Sequence, residues 1–198
     1  ECDQVSIEEN EAVERVDYEL NSAVQAEMMS DVPLGAFLSG GVDSPLVCYH
    51  AGFNSSDHFE TFSMESDSPV HDESYLSSQY SELIGTKHYT IKMTGNNSLD
   101  VLEKAVEAAG EPLGDFSILP TWQVSKLASS RIKVALSGDG GDELFFGYER
   151  FRSIAKNHWL WPFPYPVRYL VRGMDRLFLH DKYVNECILE KTPGEAHF

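Results

Sequence analysis

The chain has 198 residues and a mass of 22.2 kDa, enough for one ordinary domain with a sizeable core or for part of a larger one. With 42% hydrophobic and 24% charged residues it reads as globular, not disordered or collagenous. Its 32 acidic against 15 basic residues leave a net charge of −17, which argues against a nonspecific nucleic-acid surface and against docking on anionic membranes, since both depend on Lys and Arg. The balance is uneven: residues 1–149 hold 27 acids and 7 bases, whereas residues 150–198 hold 5 acids and 8 bases. A phosphate ligand would have to be held by a local device that works against the acidic field. Cys2, Cys48 and Cys187 are too few and too scattered for a disulfide framework, a zinc site or a redox pair. No apolar run reaches the roughly 18–20 residues of a membrane span, and the polar, acidic opening residues do not resemble a signal peptide. A cytoplasmic protein is the default expectation.

In chain order, Val13, Val16, Leu20, Ala23 and Val24 follow helical spacing and predict a helix over 8–29, ended by Asp31-Val-Pro. Leu34 to Leu38 is short, apolar and followed by Ser39-Gly-Gly, the pattern of a buried strand. Ser44 to Gly52 turns helical, His58 to Met64 alternates as a strand, and Glu73 to Ile84 is a helix closed by Gly85. His88 to Met93 is a strand, Gly95-Asn-Asn-Ser a short loop, and Leu99 to Ala109 and Leu119 to Ser129 are helices. Ile132 to Leu136 is a fourth strand. Strands alternating with helices predict an α/β fold, a doubly wound parallel sheet with helices on both faces. After Tyr148 an aromatic, proline-rich stretch, Trp159 to Pro166, precedes a helical pattern over Val167 to Leu179. The expected organisation is a leading helix over 1–30, an α/β domain over 31–150 and the start of a helical lobe over 151–198.

Two strings at strand ends carry the chemistry. The first is Leu38-Ser39-Gly40-Gly41-Val42-Asp43-Ser44. Glycines at such a turn let backbone N–H groups converge on an anion, and the following helix directs its positive end there. Ser39 and Ser44 add hydroxyls, and Asp43 suits a Mg²⁺ ion that bridges phosphates. The plainer alternative is a Gly-rich strand-to-helix turn with an Asp cap. The second string, Ser137-Gly138-Asp139-Gly140-Gly141-Asp142-Glu143, also follows a strand and should leave the same carboxyl edge of the sheet. Asp139, Asp142 and Glu143 would repel one another unless a cation or helix dipoles screen them. A Mg²⁺–ATP complex supplies such a cation; a solvated acidic turn is the alternative.

The first string resembles the pyrophosphate-binding loop of the N-type ATP pyrophosphatases and is not a Walker loop, since Gly-Lys-Ser/Thr is missing. Asp31-Val-Pro-Leu-Gly before it, and Val134-Ala-Leu-Ser-Gly-Asp-Gly-Gly-Asp-Glu-Leu-Phe-Phe-Gly-Tyr after it, are similar to signatures of the glutamine-dependent asparagine synthetase family. Asp72-Glu73-Ser74-Tyr75 and Glu111-Pro112 match residues of that family between the two, so the likeness spans roughly residues 10–155. It implies an adenine nucleotide alpha-hydrolase-like fold and an AMP-forming ligase. A carboxylate, aspartate by default, would be adenylated by ATP and then amidated by ammonia from a glutaminase domain outside this chain.

By that resemblance Asp43 and Asp142 would hold Mg²⁺ and pyrophosphate, and Ser39, Gly40, Gly41, Ser44, Ser137, Gly138 and Glu143 would belong to the ATP site. Asp139 matches a position tied to acyl-adenylate formation, and Leu38 and Met64 match positions whose backbone meets the nucleotide. Met64 by its chemistry alone reads as core. His50, His58, His71 and His88 lack metal-ligand spacing, Asp72-Glu73 reads as a helix start with an indirect role, and Asp115 and Ser117 lie where acceptor recognition occurs in the family. Cys2 is not the family's N-terminal glutaminase cysteine, because none of that half's sequence follows it. Pro45 replaces a second serine and Phe146 a glycine of the family pattern. The Thr-Thr-x-Arg stretch of some asparagine-making members is missing before Pro120, so the acceptor need not be aspartate. The chain is expected to be the nucleotide-binding core of a longer protein, without the later helical segment that bears the family's catalytic lysine. A homodimer of the full-length protein is compatible with the resemblance. The rival readings are an adenylating amidotransferase or cyclase with another carboxylate acceptor, and a nucleotide-binding module that does not turn over.

Overall fold

The structure, a computed structural model, describes residues 7–55, 59–68, 72–93, 95–111, 115, 117–156, 159 and 162–170. Cys2, His58, His71, Pro112, Cys187 and the expected helix beyond Leu170 lie outside the described residues. In chain order the elements are α1 (Glu9–Glu27), β1 (Leu34–Phe37), α2 (Asp43–Asn54), β2 (Glu60–Ser66), α3 (Ser74–Ile84), β3 (Lys87–Met93), α4 (Gly95–Ala109), α5 (Ile118–Ser129), β4 (Val134–Leu136), α6 (Gly141–Phe145) and α7 (Glu149–Lys156). They fall into two units, Glu1–Asp139 and Gly140–Phe198.

The first unit holds a four-stranded sheet in the order β3-β2-β1-β4, with every neighbouring pair parallel. The chain steps outward from β1 to β3 and then returns to the other side of β1. That reversal lies between β1 and β4, and loops leaving the carboxyl ends of two such strands border a crevice. Successive side chains of a strand point to opposite faces, and β1 shows it directly. Ala36 and Leu38 pack with Val24 of α1 and with Cys48 and Ala51 of α2 on one face. Phe37 joins Phe62, Ala128 and Ile132 under α5 on the other. Register aligns Phe37 with Phe62 and Phe62 with Tyr89, so one aromatic row crosses three strands, and the Phe62 and Tyr89 rings stack at 5.6 Å. Helices therefore cover both faces, as the alternation of elements predicts.

Most boundaries shift by a residue or two from the sequence reading, and three of the shifts have a visible physical reason. Gly95-Asn-Asn-Ser is the first turn of α4, not a loop; Gly, Asn and Ser suit turns and helix starts alike, and composition cannot separate the two. β2 runs on to Ser66 because β3 continues beside it, with Glu65 opposite Lys92 in an ion pair. β4 begins at Val134, because the Ile132 N–H bonds back to the Ala128 carbonyl (2.8 Å) and completes the end of α5.

At the amino-terminal edge, Arg131 makes a two-pronged ion pair with Glu60 (2.8 and 3.0 Å), its guanidinium lying 3.9 Å over the Tyr89 ring. The Arg131 hydrogen bonds hold the Glu60 carboxyl below its ordinary pKa. This clamp ties the start of β2 to the approach to β4. Burial pushes the Cys48 thiol up to about 12, so it is an inert core group.

In the second unit, the backbone enters α6 through Gly140 (φ 95°) and leaves it through Phe146 (φ 55°, ψ 40°), both left-handed. A phenylalanine there costs about 1–2 kcal/mol relative to a residue at ease in that region. The glycine of the family pattern at this position thus has a backbone reason. Gly147 follows so close to Asp142 that a Cβ would meet its carboxyl oxygen at 1.8 Å. Trp159 packs edge-on against Phe163 at 6.2 Å, and residues 165–170 are helical.

The interior between β2, β3 and α3 is polar. His88 bonds Thr61 through Nδ1 (2.9 Å) and Ser63 through Nε2 (3.0 Å), and Ser63 is reached in turn by Ser77 of α3 (3.3 Å). Burial lowers the His88 pKa from its ordinary 6.5, so the fold favours neutral imidazole and the unfolded chain binds the proton more tightly. The resulting stability is full above about pH 6.5 and is lost as pH falls from there through the lower folded value. Urea unfolding between about pH 7 and pH 5 should show this acid-side loss, and His88→Gln should flatten that part of the profile.

Candidate functional site

The loop after β1 is shaped by its own serines. Ser44 Oγ accepts the Ser39 N–H (2.9 Å) and pairs with Ser39 Oγ (2.9 Å), while Ser39 Oγ also accepts the Gly41 N–H (3.2 Å). These bonds curl residues 39–44 into a tight turn at the start of α2. One hydroxyl proton is used between the two oxygens, which leaves the other to donate outward. The sequence reading aimed both serines at a ligand; the structure uses them first as the scaffold of the turn. The Asp43 and Ser44 N–H groups belong to the first turn of α2 and have no intrahelical partner. Pro45, third in the helix, lacks a hydrogen that no helical carbonyl would have accepted, so its presence costs the helix nothing there.

The second loop is pressed against this turn. β1 and β4 pair in the register Leu34 to Val134 and Ala36 to Leu136, so Leu38 and Gly138 leave the sheet at the same level. A Cβ on Gly138 would lie 2.6 Å from the Ser44 nitrogen and 3.0 Å from the Asp43 carbonyl carbon. Only a glycine permits that approach of backbone to backbone. Ser137 Oγ donates to Asp139 Oδ2 (3.0 Å) and accepts the Asp139 N–H (3.4 Å), closing a small turn beside it.

β2 supplies the third wall. The Leu38 N–H donates to the Phe62 carbonyl (2.9 Å), the last rung between these two strands. Met64 has the same parity as Phe62, so its N–H and C=O point past the end of β1 at the carboxyl edge. Leu38 itself is buried and Met64 half-buried.

Asp72 and Glu73 connect these walls. Asp72 Oδ1 accepts the N–H groups of Ser66 (3.3 Å) and Ser74 (3.2 Å), linking the end of β2 to the start of α3. Hydrogen bonds from Ser74, foremost its hydroxyl, keep the Asp72 carboxyl below its ordinary pKa. Glu73 Oε2 accepts the Gly40 N–H at 2.9 Å. Sequence reasoning took Glu73 for a helix start and missed this bond, which spans 33 residues; the pair's position at the end of a strand was its only trace. Asp115 accepts the Ser117 N–H (2.8 Å) at the entry to α5, a local turn.

Asp43, Ser39, Gly40, Gly41, Ser44, Ser137, Gly138 and Asp139 thus gather at one edge of the first unit, with Leu38 and Met64 at the ends of its strands. Asp142 and Glu143 lie in the first turn of α6 in the second unit, where Glu143 accepts the Tyr148 hydroxyl (2.6 Å). Among the described residues no group of three or more His, Cys, Asp or Glu is arranged to hold a metal ion. The Asp43 carboxylate, beside the open N–H groups of α2, makes no hydrogen bond or ion pair with described residues. One or two free carboxylates with phosphate oxygens fit the way Mg²⁺ is usually bound. His50 lies under α1, its Nε2 3.4 Å from Asp17, and His88 belongs to the hydroxyl network above. A depression of about 520 Å³ lined by Pro33, Leu34, Phe59 and Ile132 opens at the amino-terminal edge, the opposite end of the strands.

The Gly138 contact is open to a direct test. Gly138→Ala should destabilise the chain by about 1–3 kcal/mol, because backbone must move. Gly41→Ala meets only the Ser39 hydroxyl at 3.3 Å and should cost clearly less. Urea-unfolding midpoints of the two variants measure the difference.

The profile of the family described as asparagine synthase matches residues 15–198. The chain is 32% identical over 177 residues to the glutamine-hydrolyzing asparagine synthetase 1 of Bacillus subtilis, covering 89% of this chain and 27% of that protein. It is 29% identical over 164 residues to Amidase chyE of Penicillium rubens, covering 73% of this chain and 24% of that protein. The chain spans about a quarter of the length of the curated relatives it matches. Among solved structures, an NH3-dependent NAD synthetase from Campylobacter jejuni aligns at a TM-score of 0.48 and 14% identity, over 68% of this chain and 60% of that one. No helix among the described residues is long and apolar enough to cross a membrane. With its profile matched from Arg15 to Phe198 and its two glycine strings joined at one sheet edge, the chain belongs to the asparagine synthase family.

Proposed function

We propose that this chain is the ATP-using core of a ligase that makes an amide through an acyl-adenylate. The observation that carries this reading is the contact of Gly138 with the Asp43–Ser44 backbone. It brings the start of the second loop against the helix start that follows the first, beside the N–H groups of Asp43 and Ser44. A substrate carboxylate attacks the α-phosphate of ATP, the bond to the β-phosphate breaks, and pyrophosphate leaves with the electron pair. The N–H groups of Asp43 and Ser44 and the free hydroxyl proton of the Ser39–Ser44 pair donate to the leaving oxygens. Donors already fixed in place stabilise developing charge without reorganising at the moment of reaction. Leu38 and Met64 offer strand-end backbone to the nucleotide, and Ser137 and Gly138 border its phosphates. Asp139, which accepts the Ser137 hydroxyl, would act on the acyl-adenylate. Asp43 would help to hold Mg²⁺, which supplies charge neutralisation for the phosphates when bound, and Asp142 is a second candidate by the family resemblance alone. Glu143, engaged by Tyr148, contributes a fixed negative charge. Ammonia then attacks the activated carbonyl, AMP departs, and the amide forms.

Aspartate is the acceptor by default, with ammonia delivered by a glutaminase domain elsewhere in the protein. The likeness to Amidase chyE favours a second reading, in which the adenylation chemistry is kept and another carboxylate is amidated. Incubating the full-length protein with aspartate, ATP and ammonia separates the two: asparagine with AMP supports the first, and no asparagine supports the second. A nucleotide-binding module without turnover would bind Mg–ATP and release no AMP.

In the full-length protein, Asp43→Asn should lower ATP/pyrophosphate exchange by at least about a hundredfold, in line with the loss of one charge-stabilising group. Wild-type exchange in this variant would remove Asp43 from the site.

A further inference from the structure

The glycine turn after β1 already carries an anion. Of its amides, those of Ser39 and Gly41 are given to neutral serine hydroxyls inside the turn. The Gly40 N–H instead points outward and donates to the Glu73 carboxylate at 2.9 Å. This contact is built into the fold. Asp72 fixes the backbone just before Glu73 to both β2 and α3, and Gly40 sits so close to α3 that a Cβ would meet Glu73 Cβ at 2.9 Å and Leu76 Cβ at 3.0 Å. Gly40 and the start of α3 are therefore held in register, and the carboxylate reaches the amide from a fixed root. The side chain itself is exposed, so water can take it up when it leaves. It also stands at the start of α3, where the helix dipole favours a negative charge in either position.

We propose that Glu73 is a displaceable stand-in for phosphate: its carboxylate accepts the Gly40 N–H, an incoming phosphate oxygen replaces it, and this competition sets the affinity of the loop for anions. The proposal rests on the reading of the loop as a phosphate cradle. It assigns Glu73 an affinity-setting role distinct from that of a prop. A prop is lost with the side chain and restored by any acceptor of the same shape. A stand-in works against the ligand through both its hydrogen bond and its charge, so removing either one helps the ligand.

The test is calorimetric titration of the full chain, its Glu73→Gln variant and its Glu73→Ala variant with inorganic pyrophosphate in magnesium-containing buffer. Both variants should bind about three- to tenfold more tightly than wild type, the size expected for losing one exposed charge and one competing hydrogen bond. The Gly40 amide resonance should shift in all three proteins on saturation. Glu73→Gln keeps an acceptor for Gly40 and so preserves the turn if Glu73→Ala unfolds it. Weaker binding in Glu73→Ala that Glu73→Gln restores would make Glu73 a prop and overturn the proposal, as would equal affinity in all three. A wild-type chain that binds no pyrophosphate would instead remove the cradle reading, and the proposal with it.

Discussion

The candidate site depends on one close approach, that of Gly138 to the backbone of Asp43 and Ser44. It exists because β4 returns to the far side of β1 and pairs with it in a register that brings both strands to the same level. Two loops that diverge from adjacent parallel strands would ordinarily leave a crevice between them. Here a glycine without a Cβ lets the second loop close onto the helix start of the first. The aromatic row under α5 and the small-residue packing of Ala36, Cys48 and Ala51 under α2 fix the sheet that makes this approach reproducible. The Glu60–Arg131 clamp fixes the opposite edge.

Much of this was legible in the sequence, and the reasons are specific. Leu34 to Leu38 is apolar, short and followed by glycines, which leaves little choice but a buried strand entering a turn. The Ser-Gly strings after two strands place both candidate loops at one edge. What composition could not supply was distance. Nothing in Glu73 signals a bond to Gly40, because the partner lies 33 residues away and depends on α3 packing beside the loop. The roles of Ser39 and Ser44 as scaffold were equally hidden, since a hydroxyl near a glycine turn can face inward or outward with the same sequence. The Gly95 to Ser98 segment was misread as a loop because its residues serve helix starts as well. Phe146 was legible as a departure, but its left-handed backbone explains why a glycine belongs there.

The net charge of −17 changes meaning in this light. An acidic chain has little general attraction for phosphate, so its affinity must come from oriented backbone dipoles within a few residues. The turn after β1 provides these as N–H groups, and the Asp43 carboxylate makes no bond to described residues. Glu73 takes one amide of this turn, that of Gly40.

The most direct measurement is amide NMR of the chain titrated with Mg–ATP. If the two loops form one cradle, the amides of Gly40, Gly41, Asp43, Ser44 and Gly138 shift together, with a single apparent affinity. Shifts confined to one loop, or none at this edge of the sheet, would contradict the account.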